Sequence, residues 1–162
     1  MNHAPPCGGI LPRIRDSSSS YGLITTRHKG KLVKHAPLSE REERIATALV
    51  DSAYTVHKTL GPGLLEHIYE VCFCHELSKR GLSHQRQVKL PIVYDGIEFD
   101  EGLRLDVLVE DLVICELKAV EAIIPVFEAQ MLTYLKLTGR RLGFLINFNV
   151  PLIRDGIRRI IL

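Results

Sequence analysis

The 162-residue chain has only four cysteines, at positions 7, 72, 74 and 115, and no CxxC pair among them. That spacing supports neither a zinc ribbon nor a disulfide framework, and a reducing compartment is the expectation. Long apolar runs are missing too. Stretches such as 122–127 extend for a few residues, where a membrane-spanning helix needs ~20. The seven histidines show neither HxH nor HxxxH spacing, so no transition-metal site is implied. Gly61-Pro62-Gly63 lacks the Lys-Ser/Thr that completes a phosphate-binding loop. No apolar signal-peptide core is visible, and a cytoplasmic location is expected. No internal repeat is evident.

A large charge of one sign is also lacking, since the formal net charge is +2. The distribution is uneven: residues 1–38 hold six Lys/Arg and one acid, residues 39–162 fifteen Lys/Arg and eighteen acids. Nucleic-acid binding therefore cannot rest on a basic folded domain and has to be argued from a site. What is present, 46% hydrophobic and 25% charged residues, suits one globular domain able to bury a core without covalent staples.

Residues 1–38 contain four of the eight prolines, the run Ser17–Ser20 and no helical or strand periodicity. The expectation is a disordered basic tail. An arm on nucleic acid, an organellar leader and a mis-assigned start are alternatives for it.

The folded domain is expected over 39–162. Ser39 and Glu42 have capping-box spacing, and Ile45, Ala48, Leu49, Ala53, Val56 and Leu60 recur on one helical face. Gly61-Pro62-Gly63 ends that helix. A second helix is expected from about Leu64 to Lys79, with Leu65, Ile68, Cys72 and Phe73 on its apolar side. Period-two alternation follows at Val88, Leu90 and Ile92, up to the turn signal Asp95-Gly96. Leu103–Val109 and Leu112–Leu117 read as strands of a hairpin closed at Glu110-Asp111. Helix is expected from Pro125 to Thr138, strand over Leu142–Phe148, and a last strand or short helix over Ile157–Leu162. The order predicts an α/β sandwich with a mixed sheet.

Within the apolar strand ending at Lys118, Glu116 and Lys118 sit two residues apart and share a face. Buried charges must pair or bind something. Glu116 and Lys118 could simply pair with each other. Folding the hairpin, however, brings Asp106 beside them, and two carboxylates that close are unfavourable without a cation. Oxygen ligands of this kind suit Mg²⁺, with a lysine to position or deprotonate water and offset phosphate charge. The chemistry indicated is metal-assisted phosphodiester hydrolysis. His57 is expected as a packing or capping residue, and Cys72 and Cys74 as structural. Arg140, Arg141, Arg158 and Arg159 are candidates for phosphate contact, although surface arginines are common.

Asp106 followed by Glu116-Leu117-Lys118 resembles the PD-(D/E)XK nuclease superfamily. Gly63, Glu66 and Tyr69 resemble the signature of its GxxExxY protein family, and Leu145–Asn149 and the Asp95-Gly96 turn agree with that family. The likeness spans Ser39 to Leu162, with Leu105 standing where the superfamily name has proline. It implies an αβββαβ core preceded by an extra helix, and Mg²⁺ or Mn²⁺ held by Asp106, Glu116 and the Leu117 carbonyl. It further implies Lys118 acting on the nucleophile and Glu66 supporting the metal or its water. Without the likeness, Glu66 reads as an exposed helix carboxylate. Tyr69, on the same face, reads either as a supporting residue or as a core aromatic with a satisfied hydroxyl. Gln130 and Tyr134, at i and i+4, resemble the QxxxY element of RecB-like nucleases that lines the active site.

The expected function is a metal-dependent nuclease acting on DNA or RNA, DNA first. Its alternative is a non-catalytic nucleic-acid-binding or assembly module that keeps the fold. A homodimer or a helicase-type partner would suit so small a nuclease.

Overall fold

The computed structural model describes residues 25–28, 31–34 and 36–162. Helix α1 (Glu40–Leu60) begins at the expected capping box: Ser39 Oγ accepts from the Glu42 N–H at 3.2 Å, and Glu42 Oε2 accepts from the Ser39 N–H at 2.7 Å. Ile45, Leu49, Ala53 and Val56 are buried as expected, joined by Ala46, Ser52 and His57, while Leu60 is exposed. His57 is a packing residue whose Nε2 lies 2.7 Å from the Val150 carbonyl. Gly61 ends the helix with a positive φ of 68°, a conformation that glycine adopts without steric penalty.

Helix α2 (Glu66–Lys79) starts two residues later than expected and buries Phe73 of the expected face but not Leu65 or Ile68. Tyr69, Phe73 and Leu77 are fully buried, whereas Leu65 is 68% exposed and Ile68 is exposed too. The cause is Tyr69. Its hydroxyl donates to the Gly61 carbonyl at 2.7 Å and accepts from the Leu64 N–H at 3.0 Å. Its ring stacks on Phe148 at 4.6 Å between centroids, and Phe73 meets Phe148 edge-on. The loop is thereby wound around the tyrosine, and Leu64 and Leu65 are held outside the helix.

Five strands form one sheet in chain order: β3 (His84–Tyr94), β4 (Ile97–Val109), β5 (Val113–Lys118), β6 (Leu142–Asn147) and β7 (Ile157–Ile161). The β5–β6 pair is parallel and the others antiparallel, so the sheet is mixed. Helix α3 (Pro125–Thr138) carries the crossover from β5 to β6, with Gly139 as a left-handed C-cap. A four-residue helix, α4 (Ile153–Gly156), which the sequence pattern did not suggest, leads into β7. The α1 and α2 side of the sheet is closed by Val107, Val109, Cys115 and Leu117, and the α3 side by Leu105, Leu108, Ile114, Met131 and Leu135. This is the expected αβββαβ core, running α2-β3-β4-β5-α3-β6, with α1 as the extra N-terminal helix.

The segment expected as a tail departs from expectation in one place. Strands β1 (Thr25–His28) and β2 (Lys31–Lys34) pair antiparallel. The β-branched Thr25, Thr26 and Val33 favour extended backbone. The rest of that expectation, over 1–24, 29, 30 and 35, lies outside the described residues.

The β4–β5 hairpin is closed at Val109↔Val113, and Glu110 and Asp111 both have left-handed φ, 53° and 57°. Neither is glycine, so the turn needs outside support. Glu110 supplies it by accepting from the Ser83 N–H at 2.7 Å and from Arg41 at 2.8 Å, while Asp111 pairs with Arg140. The remaining arginines proposed for phosphate are occupied structurally as well: Arg141 donates to the Ala36 and Pro37 carbonyls, Arg159 to Glu43, and Arg158 to the Asp155 and Ile157 carbonyls.

Tyr69→Phe removes the partner of two backbone groups and should lower the unfolding free energy by about 1–3 kcal/mol, read by urea denaturation. Catalysis per folded molecule should be unchanged. A hydroxyl used on substrate would give the opposite result, with lost turnover at unchanged stability.

Candidate active site

The β4–β5 ladder runs Val109↔Val113, Leu108↔Ile114, Val107↔Cys115. Continued by one step it places Asp106 opposite Glu116, and there the two carboxylates take over from the ladder. Glu116 Oε1 accepts from the Asp106 N–H at 3.3 Å, and Asp106 Oδ2 accepts from the Leu117 N–H at 2.9 Å. Each acid is thus held by backbone of the facing strand. Lys118 Nζ stands 3.6 Å from Glu116 Oε2 and 3.9 Å from Asp106 Oδ2. These are electrostatic separations longer than a hydrogen bond.

Glu116 is 3% exposed. Burial, then the charge of Asp106, pushes its carboxyl up to about 8 against the partial relief given by Lys118. Asp106 is also raised, by burial first, with the Leu117 N–H and Lys118 opposing. One lysine does not compensate two buried carboxylates, so the donor set is short of positive charge. Among the described residues, no three His, Cys, Asp or Glu side chains converge on one point. Two carboxylates completed by backbone carbonyl and water fit Mg²⁺ or Mn²⁺ better than a metal that needs a full protein cage.

Glu66, the first residue of α2, stands to one side of the carboxylate pair and does not complete a three-acid cluster with it. Burial raises its carboxyl, and it feels Lys118, Asp106 and the Ala119 N–H. Tyr134 on α3 is buried, its phenol raised by burial and then by the charge of Glu116, and it accepts a hydrogen bond from Gln130 Nε2. Direct contacts therefore join Asp106, Glu116, Leu117 and Lys118, with Glu66 and Tyr134 within electrostatic reach and Gln130 bonded to Tyr134. Tyr69 is turned elsewhere: its hydroxyl is used by the 61–64 loop, the arrangement of a core aromatic with a satisfied hydroxyl.

Three contributors escaped the sequence analysis. The Phe127 ring lies 5.6 Å from Lys118 Nζ, a cation–π distance that helps keep the ammonium in place. Asn147 is buried, donates to the Val120 carbonyl at 2.8 Å and accepts from the Val120 N–H at 3.1 Å, tying down the loop that leaves Lys118. Glu70, 6% exposed, accepts from Arg86 and Gln87 at 2.6 Å each. Phe127 and Glu70 carry no spacing signal. Asn147 ending an all-apolar strand was a visible one.

A carboxyl that titrates near 8 when folded and near 4.5 when unfolded makes the native state the better proton binder between those values. Stability without metal should therefore fall as pH rises from about 4.5 to 8 and level off above. At ~2–4 °C per kcal/mol for a chain of this size, Tm should be lower by roughly 5 °C or more at pH 8.5 than at pH 6. Glu116→Gln should flatten the dependence, as followed by calorimetry.

No curated protein and no solved structure gives a significant match. A family model described as the PD-(D/E)XK nuclease superfamily matches residues 43–160, which include every residue of this site. The chain belongs to the PD-(D/E)XK nuclease superfamily.

Proposed function

We propose that this chain is a Mg²⁺- or Mn²⁺-dependent nuclease of the GxxExxY family, hydrolysing phosphodiester bonds of DNA or RNA. The observation that carries the reading is Lys118 standing between, but not closed upon, the buried carboxylates of Asp106 and Glu116. Another lysine in the fold, Lys79, closes on its carboxylate, Glu76, at 2.8 Å. At 3.6 and 3.9 Å Lys118 leaves the acids with charge still to be balanced.

Asp106, Glu116 and the Leu117 carbonyl would hold the metal. When bound, it supplies an acidified water and stabilises charge on the phosphoryl oxygens. Lys118 orients the attacking water and offsets the charge that builds on the phosphate. Glu66, within the electrostatic reach of Lys118 and Asp106, would order water on the α2 side. Gln130 and Tyr134, bonded to each other, form the α3 wall facing Glu116, and Phe127 restricts the lysine. A reducing location is supported by Cys72, Cys74 and Cys115, all free thiols. Among the described residues no helix is long and apolar enough to cross a membrane.

Wild type and Glu116→Ala, purified identically, should be compared on single-stranded, double-stranded and branched DNA and on RNA, with Mg²⁺ or Mn²⁺. Cleavage that requires metal and falls at least ~100-fold in Glu116→Ala is expected, with a loss of about 10²–10⁴-fold for Lys118→Ala. Asp106→Asn should abolish cleavage while leaving an acceptor for the Leu117 N–H. Equal cleavage by wild type and Glu116→Ala would mark a contaminant and remove this assignment. In wild type alone, Mn²⁺ should raise Tm, the linkage expected of a ligand that binds only the folded state.

A further inference from the structure

Gln87 has a left-handed backbone, φ 53°, in the interior of strand β3. The pairs Arg86↔Val107 and Val88↔Leu105 flank it, so it stands directly opposite Asp106. A residue with a straight-chain side chain rarely adopts this conformation, and its presence beside a reactive group points to a constraint.

The constraint is visible on α2. Gln87 Nε2 donates to one oxygen of Glu70 and Arg86 Nε to the other, each at 2.6 Å. Side chains of consecutive strand residues ordinarily leave on opposite faces. Here both reach one carboxylate, which the left-handed turn of Gln87 makes feasible. Strand β4 shows the matching irregularity. Leu105 and Leu108 both pack toward α3 although three positions apart, while Val107 packs toward α1 and α2. The alternation therefore slips by one residue at Asp106, and the Asp106 carboxylate ends on the Leu117 N–H and beside Lys118.

We infer that Gln87 and Glu70 are positioning residues: their hydrogen bond holds β3 in the left-handed kink that aims the Asp106 carboxylate into the site. The inference rests on the nuclease reading of that site. Helix α2 then has two tasks one turn apart, Glu66 within electrostatic reach of Lys118 and Asp106 and Glu70 holding the strand that presents Asp106. A clasp that merely glued α2 to β3 would affect Tm and leave metal affinity alone. A positioning clasp changes metal affinity.

The test is Mn²⁺ binding, read from the electron paramagnetic resonance signal of the free ion, with cleavage followed against Mn²⁺ concentration. Gln87→Ala loses the amide and disfavours positive φ. It should weaken Mn²⁺ binding by about 10–100-fold, the usual effect of losing a group that orients a ligand, with cleavage recovering as Mn²⁺ is raised. Gln87→Asn keeps an amide and enters the left-handed region readily, so it should lie closer to wild type. Should Gln87→Ala melt below the assay temperature, Glu70→Gln, equal in shape, is expected to show the same loss. Folded Gln87→Ala and Glu70→Gln with Mn²⁺ affinity and cleavage within about twofold of wild type would overturn the inference and leave the nuclease reading standing. Wild type that neither binds Mn²⁺ nor cleaves would overturn both.

Discussion

Two carboxylates, Asp106 and Glu116, occupy backbone hydrogen-bonding positions between β4 and β5. The rest of the molecule can be understood as what permits that arrangement. Buried like charges repel, and a sheet that carried them in ordinary side-chain positions would expel them or protonate them. Seating each acid on the other strand's N–H groups supplies part of the compensation, and Lys118 supplies another part. The remainder is left unbalanced where the strands part. That residual shortage of positive charge is what a cation would fill.

Backbone strain is concentrated around this same hairpin. Among the described non-glycine residues, four have positive φ: Gln87, Asp95, Glu110 and Asp111. Glu110 and Asp111 close the β4–β5 turn, and Gln87 flanks Asp106. Each of these three is held by charged or amide partners on another element, Arg41, Arg140 and Glu70 respectively. The fourth, Asp95, is followed by Gly96 in a two-residue hairpin turn whose geometry calls for left-handed residues. The first three kinks therefore depend on tertiary contacts and belong to the presentation of the site.

The fold was legible where local rules act alone. Capping at Ser39, the Pro125 start and Gly139 stop of α3, and the Asp95-Gly96 turn are each decided by residues within one turn of chain. Asp106, Glu116 and Lys118 could be brought together on paper because a tight hairpin fixes register. Legibility failed where distant packing decides. The apolar side of α2 was partly misplaced because Phe148, nearly eighty residues away, selects Tyr69 over Leu65 and Ile68. Gln87 gave no signal at all, since Gln in a strand looks like any solvent-facing polar residue until Glu70 is seen beneath it. The hairpin at β1 and β2 was obscured by proline and serine in the surrounding segment.

The acids and the lysine fall within residues 106–118, a single uninterrupted stretch. Closing so short a loop demands little chain entropy. The register of this hairpin follows from chain proximity, so the charges can meet early, while the left-handed residues of its turn gain Ser83, Arg41 and Arg140 only as the neighbouring segments pack. Assembly of the centre thereby separates into two stages, a local one that brings the charges together and a later one that shields and aims them. Between the two, the charges are gathered before they are buried, and their repulsion is met while water still screens it. The order of folding implied by the topology is thus the order in which the electrostatic penalty is easiest to bear.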